Sequence, residues 1–160
     1  MDRVELDAEQ PSKTPSNSTM ASEVWVDALE CVIGKAHAVL LASYVRSVLE
    51  LELSAPPPLG RKWVGGLGAH QGRVVVCINL AKTGPATPRV GKGILCALPE
   101  SDIGWMIEVS KVMSLLKVRR VPRPMTPGTP PWVTAAQTVE GRLVAFVDVE
   151  RMVRELAATS

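Results

Sequence analysis

The chain nearly repeats itself, and that repeat confines it to two copies of one β-rich unit. Residues Gly72 to Leu80, GRVVVCINL, return as Gly141 to Val149, GRLVAFVDV. Upstream, Val39 to Leu49, VLLASYVRSVL, is echoed by Met106 to Leu116, MIEVSKVMSLL. Both spacings are roughly 70 residues and the order of the blocks is kept, as in a duplicated supersecondary unit. Each half therefore ends in a strand led by Gly-Arg. Hydrophobic residues make up 46% of the chain but aromatics only 4%, so both cores must be built from Val, Leu, Ile, Ala and Met.

The local pattern fills in the unit. Glu23 to Ile33 reads as a strand with imperfect alternation, Gly34-Lys35 as a turn, and Ala38 to Leu41 as a second strand. Ala42 to Val45 fits one helical turn with Ser43 as its N-cap. Val48 to Leu53 alternates apolar and acidic residues, which predicts a half-exposed strand. The glycines at 65, 66, 68 and 72 have no Gly-Lys-Ser/Thr ending and open no helix, so they are read as close strand packing at a barrel corner. Strands are expected over Arg73 to Leu80, Gly93 to Leu98, Ile103 to Val109, Lys111 to Val118 and Leu143 to Val149, with loops over 54–60, 83–91 and 121–131 where the prolines gather. Trp132 to Thr138 leads into a last hairpin turning at Glu140-Gly141. Val149, Met152, Val153 and Leu156 fall on one face of a closing helix, with Asp148 as its N-cap. Residues 1–22 are polar and read as a disordered tail, part of which could act as an arm.

Chemistry is harder to find. Formal net charge is +2, from 18 basic and 16 acidic side chains, which gives no steer toward nucleic acid. Arg119, Arg120 and Arg123 form a basic cluster, read as a solvated loop with a charged docking patch as the alternative. Cys31, Cys77 and Cys96 make no metal-ligand spacing, and an odd count without a secretory signal suits a reducing cytoplasm. His37 follows a turn and is expected to be exposed. His70 could pair with Cys77, but Cys77 stands among Val74, Val75, Val76 and Ile78, where a thiolate is disfavoured. No enzyme, cofactor or metal site is expected. No apolar run is long enough to span a membrane, so direct membrane contact is not expected either.

Three segments in order resemble the CheW-like domain of bacterial chemosensory arrays. They are Ala38 to Leu49, Gly66 to Leu80, and Glu140 to Val153, and the resemblance runs over about residues 24–156. It implies a mainly β fold of two small five-stranded, SH3-like β-barrel subdomains packed together, with a short C-terminal helix. The domain would cover 23–158, with subdomain blocks near 38–92 and 93–140 and the terminal strands and helix crossing between them. It also implies a cytoplasmic, non-catalytic adaptor linking a methyl-accepting-type receptor to a histidine kinase. The partners would be the chemoreceptor's cytoplasmic tip, the kinase regulatory domain and other CheW-like adaptors. The residues carried over as protein-binding are Val45, Ser47, Gly66, His70 and Gln71. Two of these depart from the family pattern. Gln71 stands where an Arg is usual and Ser47 where an acid is usual, so a charge-assisted contact is missing. An accessory adaptor with weak or absent kinase binding is the resulting expectation. The alternative is a small β-barrel module for nucleic acid or carbohydrate, against which the scarcity of aromatics counts.

Overall fold

The computed structural model describes residues 24–55, 63–81, 88–98, 102–124 and 128–158. The expected tail and most of the residues in the expected loops 54–60 and 83–91 lie outside them. Ten strands are described: β1 (Val26–Ile33), β2 (Ala36–Leu41), β3 (Val45–Leu53), β4 (Val64–His70), β5 (Arg73–Ile78), β6 (Arg89–Cys96), β7 (Ile103–Glu108), β8 (Lys111–Pro124), β9 (Val133–Thr138) and β10 (Leu143–Val147), followed by helix α1 (Val149–Ala158).

The strands form two sheets of five. One closes into a barrel in the order β1-β2-β10-β9-β8, and the other curls in the order β3-β6-β7-β5-β4. The edges of the second sheet meet at one bridge, where Ser54 and Leu67 exchange backbone hydrogen bonds of 2.8 and 3.0 Å. Both sheets have the same connectivity. A hairpin (β1-β2 or β6-β7) lies next to a three-strand run (β8-β9-β10 or β3-β4-β5), with one parallel pairing in each, β2 with β10 and β7 with β5. The sequence repeat follows from this. Its first block spans the β2-to-β3 and β7-to-β8 junctions, and its second spans β5 and β10. Along the chain, however, each unit's hairpin serves the other unit's strands: β1-β2 completes the barrel of β8-β9-β10.

Period-two burial makes three apolar layers. Ala28, Val39, Val118, Ala136, Val144 and Phe146 fill the closed barrel. Leu51, Leu53, Val75, Cys77, Leu95 and Met106 fill the second sheet. The largest layer lies between the two, where Leu29, Cys31 and Leu40 meet Ile78, Ile94, Trp105 and Ile107. Helix α1 caps this seam. Val149, Met152 and Leu156 are buried in it, each contributing about 1.5–3 kcal/mol of burial free energy. Asp148 is the N-cap, its Oδ1 accepting from the Arg151 N–H at 3.1 Å.

Three local expectations need correction, and a fourth, the exposure of His37, is met. Ser43 caps nothing: it lies inside a 3-10 turn over Ala42–Tyr44 that has no side-chain cap. His37 is exposed as expected but belongs to strand β2. The segment 121–131 is not all loop, because β8 continues to Pro124. A register shift against β9 between Val121 and Pro124 accommodates residues that cannot donate to the ladder. Arg119 and Arg120 are consequently strand residues with partners. Arg119 donates to Gln137 Oε1 at 2.7 and 3.0 Å. Arg120 lies over the Phe146 ring at 4.5 Å and 3.6 Å from Asp148.

The glycine-rich strand behaves as close packing requires. A Cβ on Gly66 would stand 2.9 Å from the Ser54 carbonyl oxygen and 3.1 Å from Leu53 Cβ, so β4 can meet β3 only without a side chain there. The β4-β5 turn has positive φ at both Gln71 (51°) and Gly72 (78°), the pattern of a two-residue hairpin whose twist matches its strands.

Candidate functional sites

The mouth of the closed barrel holds a buried acid. Glu30 interrupts an otherwise apolar stretch of β1 and points inward opposite Val39. It is only 3% exposed. Arg142, from the β9-β10 turn, donates to both carboxylate oxygens at 2.9 and 3.3 Å. His37 Nδ1 lies 2.7 Å from Oε2. The Arg142 contact holds the Glu30 carboxyl below its ordinary pKa against the opposing effect of burial, with a smaller contribution from His37.

The second sheet contains a half-buried ion pair, Arg89 with Glu108. One of its contacts is a 2.7 Å hydrogen bond from Nη2 to Oε1, and Cys77 Sγ lies 3.6 Å from the same oxygen. Burial, reinforced by Glu108, pushes the Cys77 thiol up to about 12. Cys31 and Cys96 are raised to about 12 for the same first reason, burial. His70 cannot activate Cys77. His70 is paired with Arg73 at the turn while Cys77 is paired with Gly66, about 13 Å along the strand. Among the described residues no group of three His, Cys, Asp or Glu side chains is placed to hold a metal ion.

Two surface cavities among the described residues bear on binding. One, of about 270 Å³, opens at the β4-β5 turn and is lined by Arg46, His70, Gln71 and Arg73 over Leu95 and Trp105. His70 and Gln71 meet here. Ser47 is the register partner of Leu95 in its wall, and a bulge between Val45 and Ser47 brings Arg46 to its rim. Val45 packs toward the inter-barrel layer, and Gly66 lies apart at the β3-β4 closure.

The second cavity, of about 260 Å³, is an apolar groove between the barrels. Ile33, Trp63, Leu80, Pro130, Val133 and Val147 form its walls, and Ala36, Ala38 and Ala145 leave its floor low. Trp63 meets Trp132 edge-to-face at 6.1 Å, which fixes one wall. Sequence reasoning placed none of its candidate residues in this groove. The groove's strands come from both halves of the chain, and the one local signal was the pair of tryptophans beside proline-rich segments.

Two five-stranded β units that exchange hairpins, sealed by a C-terminal helix and carrying an apolar groove at their seam, define a double-barrel interaction domain. The family model for the CheW-like domain matches residues 27–157, and the chain belongs to that family. The fold agrees. The crystal structure of the scaffolding protein TtCheW from Thermoanaerobacter tengcongensis superposes with a TM-score of 0.58, covering 78% of this chain and 89% of that one at 12% sequence identity. No curated protein matches the sequence significantly. No described helix is long and apolar enough to cross a membrane.

Proposed function

We propose that this chain is a non-catalytic adaptor of a bacterial chemosensory system that holds the cytoplasmic tip of a receptor in the groove between its barrels. The groove itself is the observation that carries the reading. It is apolar, has a low alanine floor, and suits large side chains presented at helical spacing by a helix lying across the seam. Such a partner places the adaptor in the cytoplasm. Kinase coupling is weak or absent on this reading. The turn that carries Gln71 offers an amide where the family usually offers a guanidinium, and Ser47 offers no carboxylate.

The test is binding of the full chain to a receptor cytoplasmic fragment and to a kinase regulatory domain, side by side, with Ala36→Trp as the groove-filling variant. Ala36 is exposed, so the variant leaves the core intact. Receptor binding that weakens about tenfold or more in Ala36→Trp is expected, a loss of about 1.4 kcal/mol. Receptor binding unchanged by Ala36→Trp would remove the groove from the reading. Kinase binding as strong as receptor binding would remove its accessory character.

A further inference from the structure

The internal symmetry of the fold shows what is missing from one of its two barrel mouths. Arg142 and Arg73 are equivalent, each following the glycine that starts the last strand of its unit. Val39 and Met106 are equivalent through the first repeated block. Glu30 is the register partner of Val39, and Leu95 is the register partner of Met106. His37 stands two residues before Val39, and Gly104 two before Met106. So Glu30, His37 and Arg142 in the closed barrel correspond to Leu95, Gly104 and Arg73 in the second sheet. The guanidinium has been kept, while the carboxylate that neutralises it has been replaced by an aliphatic side chain and the imidazole by a glycine.

The space thus vacated is the 270 Å³ cavity, whose lining includes Leu95, Gly104 and Arg73. Arg46 and His70 add a second guanidinium and an imidazole, and no Asp or Glu is among the lining residues. Among the described residues the side chains of Arg46, His70 and Arg73 make no hydrogen bond or ion pair, whereas Arg142 is held by two. The remaining walls, Val75, Leu98, Ile103 and Trp105, are apolar. A bare phosphate would leave those walls uncovered. A carboxylate on an aliphatic stem would cover them and set its charge against Arg73, as Glu30 sets its charge against Arg142 in its own barrel.

The geometry points to this mouth as the receiving site for a glutamate or aspartate side chain of a partner protein, supplied from outside where the sister barrel supplies its own. The inference rests on the repeat and on the cavity, and is independent of what occupies the groove. Such a contact would be charge-assisted, screened by salt, and most selective if bidentate on Arg73.

The test uses the uniformly 15N-labelled full chain, titrated with N-acetyl-glutamate amide, with N-acetyl-glutamine amide as the neutral isostere and with inorganic phosphate. The expected result is saturable shifts for the amides of 70–73, Leu95 and Gly104 with the glutamate probe, with affinity about tenfold or more above that of the glutamine probe. In Arg73→Gln that preference should vanish while the spectrum stays dispersed. Arg73 is exposed, so the variant should fold, and the spectrum itself reports it. Equal response to both amides, undiminished glutamate binding in Arg73→Gln, tighter binding of phosphate than of the glutamate probe, or no shift up to the probe's solubility limit would each overturn the assignment.

Discussion

The Glu30–Arg142 contact predicts unequal penalties for its two halves. The carboxylate is buried, its side chain 4% exposed, whereas the Arg142 and His37 side chains are 46% and 45% exposed. In Arg142→Ala the acid stays inside the barrel with only His37 beside it. Stranding a buried charge in this way costs about 3–5 kcal/mol, and the surviving His37 contact lowers that to about 2–4 kcal/mol. In Glu30→Leu the groups left behind can turn into water, and Leu is the residue the sister barrel carries at the equivalent place. That change should cost about 1 kcal/mol or less. For a domain of this size the difference amounts to about 4–16 °C in Tm for Arg142→Ala against a few degrees for Glu30→Leu. The pH dependence has a definite sign. Because the Glu30 carboxyl is held below its ordinary value, its stabilisation is fully present above about pH 5 and is lost as pH falls through the depressed value. Wild type should therefore lose stability in acid more steeply than Glu30→Leu, and the gap between wild type and Arg142→Ala should narrow as Glu30 protonates. Urea denaturation at neutral pH and at pH 3–4 measures all three proteins. Equal penalties, or a larger one for Glu30→Leu, would refute the reasoning.

Three further outcomes are expected. Gly93→Ala should destabilise by about 2–3 kcal/mol in a urea melt, since the new Cβ would stand 2.6 Å from both the Ile107 carbonyl oxygen and Met106 Cγ. Asp148→Ala should cost about 1 kcal/mol by removing the helix cap, and Asp148→Asn should recover most of it. The thiols of Cys31, Cys77 and Cys96 should resist alkylation at pH 8 in the folded chain and react fully in denaturant, because each is buried and raised to about 12.

Much of this fold was legible locally. The repeat marked two related units, period-two runs marked most strands, and the 3.6 period after Asp148 marked the helix, because each signal is confined to a few neighbouring residues. What escaped was whatever depends on distant strands. The groove draws Ile33 and Ala38 from the start of the chain and Val133 and Val147 from its end, so no stretch of sequence displays it. Strand β8 was cut short because Pro122 and Pro124 were read as terminators, and the register shift that admits them can be seen only against β9. Glu30 left a usable trace as a single acid between Leu29 and Cys31 in an apolar run, where a buried carboxylate demands a cation from elsewhere. The departures at Gln71 and Ser47 were legible, but the unneutralised Arg73 beside them emerged only when the two halves were compared position by position.

The exchange of hairpins between the halves governs how the chain is made. Strands β3 to β7 are contiguous, so the second sheet can assemble while the ribosome is still at work. The β1-β2 hairpin emerges first yet must wait for β10, the last strand, before its barrel can close. Until then its apolar faces are unsheltered. Translation speed and chaperone access while β8 to β10 emerge thus bear directly on how long the β1-β2 hairpin stays unpartnered.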